Sequence, residues 1–120
     1  MKVSNAIAYA DKYAGDQISV ELKYKWLQQL EDLIYEEIVK THEPAVHRPP
    51  SVLMGDRELI APDPYSEVYI HYINMQNDLF MRDTNSYSNS AAAFASAFSA
   101  FADWYNRSHM PVSQATEVKI

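Results

Sequence analysis

The sequence predicts an all-α protein, a small bundle of three to four helices with an extended Pro-rich segment able to form a short β-hairpin. Three observations carry this. Only 2 of 120 residues are Gly, so the chain holds long runs free of backbone breakers. Within those runs apolar residues recur at steps of three and four, as one face of a helix requires. Five of the 6 Pro fall between Pro44 and Pro64, which gathers the irregular backbone into one place. A chain of 13.8 kDa suits a single core. Residues 1–109 are expected to form the helical domain, with an arm-like segment at 42–63 inserted in it, and residues 110–120 a C-terminal tail.

Residues 4–13 form the first helix in this reading, with Ser4 capping the free N–H groups of the first turn and Gly15 stopping it. From Ser19 to about Thr41 the set Leu22, Trp26, Leu27, Leu30, Leu33, Ile34 and Ile38 marks the buried stripe of a longer helix. Lys23, Lys25, Glu31, Asp32, Glu36 and Glu37 fall between these positions and read as a solvated face. Pro44 ends the pattern. In the segment that follows, SVLM and RELIA flank Gly55-Asp56, so a two-stranded ribbon turning at Gly55 is expected, packed on the helices or on a partner.

Asp63-Pro64 reads as an N-cap followed by proline at the first helical position. The helix it opens would bury Val68, Tyr69, Tyr72, Ile73, Gln76, Leu79 and Phe80 and end near residues 83–85. Residues 85–90, NSYSNS, either turn the chain or bend a longer helix, and their polarity favours the turn. In the last helix Tyr87, Ala91, Phe94, Phe98, Phe101 and Tyr105 alternate at four- and three-residue steps. Alanines surround that seam, so a neighbouring helix can approach closely while the rings fill the gap.

Composition narrows the function. With 10 Lys+Arg against 16 Asp+Glu the net charge is −6, which opposes the counterion release that drives binding to phosphate backbones. Sequence-specific nucleic-acid binding is therefore not expected. The absence of Cys removes disulfide frameworks, thiolate metal sites and cysteine nucleophiles, and fits synthesis in a reducing compartment. The first sixteen residues lack the apolar core of a signal peptide. No window approaches 18 uninterrupted apolar residues, so no membrane partner is expected.

No reactive constellation stands out. His42, His47, His71 and His109 show no HExxH motif and no i,i+4 histidine pair. The acids at 31–37 could be drawn as a carboxylate pair or as divalent-ion ligands, but a solvated helix face explains them more simply. There is no nucleophile elbow and no Gly-rich phosphate loop. The expectation is a non-enzyme without cofactor or metal. Nine Tyr suit inter-helix packing, or else a protein interface. Arg48 and Arg57 are the only basic residues between Lys40 and Arg82, and could dock the exposed segment on an acidic partner.

About fifty residues carry a resemblance. Pro64-Tyr65-Ser66-Glu67 with Tyr69 and Tyr72, then Tyr87-Ser88-Asn89-Ser90, then Phe101-Ala102-Asp103-Trp104-Tyr105-Asn106-Arg107 resemble the head–tail connector, or head-completion adaptor, proteins of tailed bacteriophages and prophages. Leu59-Ile60-Ala61-Pro62 leading into a helix fits the same pattern. The resemblance implies a helical bundle with an arm or tail, assembled as a ring of twelve copies on the portal protein and met by tail-side connector proteins. It implies a place at the head–tail junction of the virion after synthesis in the bacterial cytoplasm. The acidic composition suits a surface lining a DNA channel.

Ring subunits need extensions, because a heterologous contact closes a ring by joining one subunit's projection to a different surface of its neighbour. The candidate interface residues are accordingly Arg48, Leu53, Met54, Arg57 and Leu59 in the arm, with Met110 and Val112 in the tail. Leu53, Met54 and Leu59 are expected to be more exposed in the monomer than in the assembly. The alternative is a non-catalytic helical protein-binding module, regulatory or scaffolding, that forms no ring. A third reading is a small metal-dependent enzyme built on the acids at 31–37.

Overall fold

The computed structural model describes residues 1–14, 19–39, 42–43, 58–108 and 110–111. In them the chain is an all-α bundle of four helices: α1 Val3–Ala14, α2 Val20–Glu37, α3 Glu67–Phe80 and α4 Thr84–Ser108. Two short strands, β1 His42–Glu43 and β2 Met110–Pro111, pair antiparallel, with His42 opposite Pro111 and Glu43 opposite Met110. The root of the Pro-rich segment and the root of the tail are thus joined. The ribbon expected around Gly55 lies outside the described residues.

Helix α2 forms on the expected stripe but ends at Glu37 rather than near Thr41, with Ser19 Oγ accepting from the Leu22 N–H (3.3 Å) as the N-cap. Helix α1 starts one residue early, so Ser4 lies inside its first turn and is not the cap. Helix α3 starts three residues after Pro64: the Asp63–Pro64 peptide is cis, residues 63–66 form turns, and Asp63 accepts the Ser66 hydroxyl instead of capping the helix.

The largest departure from expectation is at residues 85–90, which form the opening of α4 rather than a turn. The reversal takes only the three residues before it. The Arg82 N–H bonds Leu79 O (3.1 Å) and the Asp83 N–H bonds Asp78 O (3.0 Å), while Arg82 adopts φ 58°. This is a Schellman stop with arginine where glycine is usual. Asp83 then caps α4, accepting from the Ser86 N–H (3.2 Å) and hydroxyl (2.8 Å). Those two bonds, hydroxyl first, hold the Asp83 carboxyl below its ordinary range.

Helix α3 is the central element, packed against α4 and also against α1 and α2. One core joins all four helices: Val3, Ala6 and Ala10 from α1, Trp26, Leu27, Leu30 and Ile34 from α2, Val68, Tyr69 and Ile73 from α3, Phe101 and Tyr105 from α4. At 25 residues α4 runs for about 37 Å, longer than this core. Its first half and the second half of α3 form an antiparallel hairpin of half-buried and exposed residues, consistent with overall dimensions of 55 × 32 × 21 Å.

Candidate functional site

Two surfaces bear on function: the place where the irregular segment rejoins the bundle, and the end of the α3–α4 hairpin. The first is built on Glu31. Its position, four residues after Leu27 and three before Ile34, is on the inner face of α2, and it is only 2% exposed. The reading of Glu31 as part of a solvated face is corrected. A buried carboxylate requires donors, and Glu31 has the Ile60 N–H (3.1 Å) on one oxygen and the Tyr69 hydroxyl (2.5 Å) on the other. Tyr69 Oη in turn accepts the Ala61 N–H (2.8 Å). Burial, and then the Glu31 charge, push the Tyr69 hydroxyl well above its ordinary pKa.

This network fastens residues 60–61 to α2 and α3. Residues 58–59 are fastened on the other side, where the Leu59 N–H bonds Met1 O (2.9 Å), the backbones of Glu58 and Lys2 pair in an antiparallel β-bridge, and the Glu58 carboxylate meets the Met1 amine at 3.2 Å. Leu59 is consequently a core residue, 5% exposed. It has little surface left to lose on assembly, which corrects its expected greater exposure in the monomer, and the irregular segment is fastened to the bundle from residue 58 onward. Met110 lies in β2 opposite Glu43. Arg48, Leu53, Met54, Arg57 and Val112 lie outside the described residues, so of the seven candidate interface residues the described fold locates Leu59 and Met110.

Lys23 departs from the solvated face in the same way, at 3% exposure, and its ammonium group pairs with Asp11 to join α2 to α1. Sequence spacing held a signal for both residues, since Lys23, Leu27, Glu31 and Ile34 share one helix face. Asp32 remains outward and accepts from Gln28 Nε2 (3.1 Å) one turn away. Among the described residues no three His, Cys, Asp or Glu side chains gather as a metal ion would require.

Four aromatic residues of the resemblance, Tyr65, Phe101, Trp104 and Tyr105, converge at the bundle end of α4. Tyr65 stacks on Trp104 with ring centroids 5.1 Å apart and meets Phe101 at 6.2 Å, and Phe101 contacts Tyr105 at 6.0 Å. Further along the hairpin Tyr72 tilts on Phe94 at 5.2 Å and Phe94 on Phe98 at 5.6 Å. The Ser90 hydroxyl bonds Asp78, tying the distal turns together.

At the hairpin's end Leu79, Phe80 and Met81 are 54%, 61% and 52% exposed. Leu79 and Phe80, expected in the buried stripe, have passed beyond the reach of α1 and α2; Leu33 on α2 is likewise exposed at 38%. Beside them Asp78, Leu79, Arg82, Asp83, Thr84 and Tyr87 line a cavity of about 300 Å³. Three adjacent exposed apolar side chains are what a protein contact would cover.

No family model matches the chain, and neither a curated protein nor a solved structure matches it. No described helix is long and apolar enough to cross a membrane.

Proposed function

We propose that this chain is a non-catalytic structural protein of a tailed bacteriophage or prophage: a head–tail connector subunit that binds the portal ring, self-associates into a ring there, and helps join the DNA-filled head to the tail. The observation that carries the reading is that the first and last segments of the resemblance meet in the fold, while Tyr72 and Tyr87 lie further along the hairpin. Tyr65, Phe101, Trp104 and Tyr105 make a continuous aromatic cluster, and Tyr69 links it to the anchor of the irregular segment. A motif that builds a core and positions an arm root suits an assembly subunit. The pairing of β1 with β2 adds support, since it roots the arm and the tail at one point of the surface.

The exposed Leu79, Phe80 and Met81 also favour the second reading, a helical module that binds a single protein partner without forming a ring. Quantitative peptide mass spectrometry on purified particles separates the two. A copy number near that of the portal subunit is expected. Absence of the chain from intact, infectious particles would reject the connector reading and leave the binding module.

A further inference from the structure

The end of the α3–α4 hairpin gathers an apolar projection, a cavity and both signs of charge. Leu79, Phe80 and Met81 are each more than half exposed. Arg82 follows them. It is the only Lys or Arg between Arg57 and Arg107, and among the described residues its guanidinium has no ion-pair or hydrogen-bond partner. Of the two acids beside it, Asp83 has both carboxylate oxygens engaged by Ser86 in the cap of α4. Asp78 accepts the Ser90 hydroxyl on one oxygen only, and the other has no hydrogen bond. Asp78, Leu79 and Arg82 also line the cavity of about 300 Å³, whose walls are almost entirely carbon. A cavity of roughly 150 Å³ already holds a benzene ring.

A single chain leaves these features unmet, since Arg82 and Asp78 do not pair with each other within it. A second tip supplies each missing part. Related by a twofold axis, two tips present the same surface to one another, as an isologous contact requires. Arg82 of each copy then meets Asp78 of the other, and Phe80, the most exposed of the three apolar residues, is received by the other's cavity. A purely apolar partner would leave Arg82 unmet, and a purely acidic one would oppose Asp78; the chain's own tip carries both signs. With a net charge of −6 two copies repel elsewhere, and Arg82 is the cation that offsets this on the hairpin. We propose that the hairpin tip is a self-association surface at which two copies of this chain pair. A ring contact is heterologous, so this pairing is distinct from it and does not depend on the connector reading.

Sedimentation velocity of the full chain from ~10 µM to ~1 mM, the range in which contacts this small associate, should show a monomer–dimer equilibrium. Phe80→Asp should weaken pairing more than about a hundredfold, because both copies lose a buried ring. Its melting temperature at low concentration should match the parent's, since the ring stands mostly in water in the single chain. Arg82→Gly should weaken pairing about fivefold, the size of two exposed ion pairs, while stabilising the single chain. A purely structural role for Arg82 would not give that combination. Arg82→Glu and Asp78→Arg each set like charges opposite one another, so each alone should pair more weakly than the parent, and an equimolar mixture should pair more strongly than either. A chain that stays monomeric at ~1 mM would overturn the proposal and assign the tip to a different protein. Association unaffected by Phe80→Asp, or a mixture that pairs no better than its components, would overturn it equally.

Discussion

The two halves of α4 follow one helical period and have opposite fates. In the second half Phe101 and Tyr105 are buried, because α3 and the turn at Tyr65 close over them and the core of α1 and α2 backs them. Toward the first half the same seam is continued by Phe98 and Phe94, only partly buried at the edge of the core, where Phe94 meets Tyr72 and Phe98. Period sets which face of a helix is apolar, but burial depends on how many other elements stand opposite that face. Two helices alone make a hairpin with a half-wet seam; four make a core.

Truncating one ring in each half gives the sharpest measure of this difference. Phe101→Ala should destabilise the fold by about 3–5 kcal/mol, because it leaves a cavity that three aromatic neighbours cannot collapse into. Phe94→Ala should cost roughly 1–2 kcal/mol, since a half-exposed ring has less apolar area to lose and solvent fills its place. Urea unfolding followed by circular dichroism measures both. Equal costs would mean that the hairpin is packed as tightly as the base.

The base also differs in holding buried charge. Glu31→Ala would orphan the Ile60 N–H and the Tyr69 hydroxyl together, for a loss of roughly 2–4 kcal/mol, and should free residues 58–61 to exchange their amide protons faster. The same network sets an alkaline limit. Tyr69 has its pKa raised above the ordinary 10.0 in the fold, so the folded state keeps a proton that the unfolded state releases. Its contribution is complete below the unfolded pKa and is lost as pH rises through the folded value. Tyr105, also raised by burial, acts with the same sign. Tyr69→Phe should therefore reduce the fall in stability above about pH 10 without abolishing it. A slope unchanged from the parent would place the titrating group elsewhere.

Much of this was legible in the sequence, and the failures share a cause. The stripe of α2 and the all-α class follow from spacing, which is local. Glu31 and Lys23 stood on the apolar face by spacing, yet residue type argued for solvent; what brings them inside is a partner far along the chain, Tyr69 and the 60–61 backbone for one and Asp11 for the other. Leu79 and Phe80 fail in the opposite sense. Their period is right and the neighbour is missing. Leu59 combines both lessons, since a segment rich in proline reads as an arm until Met1 and Glu31 are seen to hold its end. Of the candidate interface, Leu59 and Met110 alone fall among the described residues, and Leu59 belongs to the core.

The hairpin's bend supplies the mildest test of the comparison. No glycine marks its position in the sequence. Arg82 adopts φ 58° without one, although a side chain in this left-handed region crowds the following carbonyl. The two Schellman hydrogen bonds around it, from the Arg82 and Asp83 amides, offset that cost and do not use the arginine side chain. Arg82→Gly keeps both bonds and removes the crowding, so it should stabilise the chain by about 1 kcal/mol, less the extra entropy that glycine gives the unfolded state. If hairpin and base unfold as one cooperative unit, that gain raises the global melting temperature and slows exchange throughout the core. If the hairpin opens independently, protection rises only in the distal turns of α3 and α4, and the two halves of α4 are then separate in energy as well as in packing.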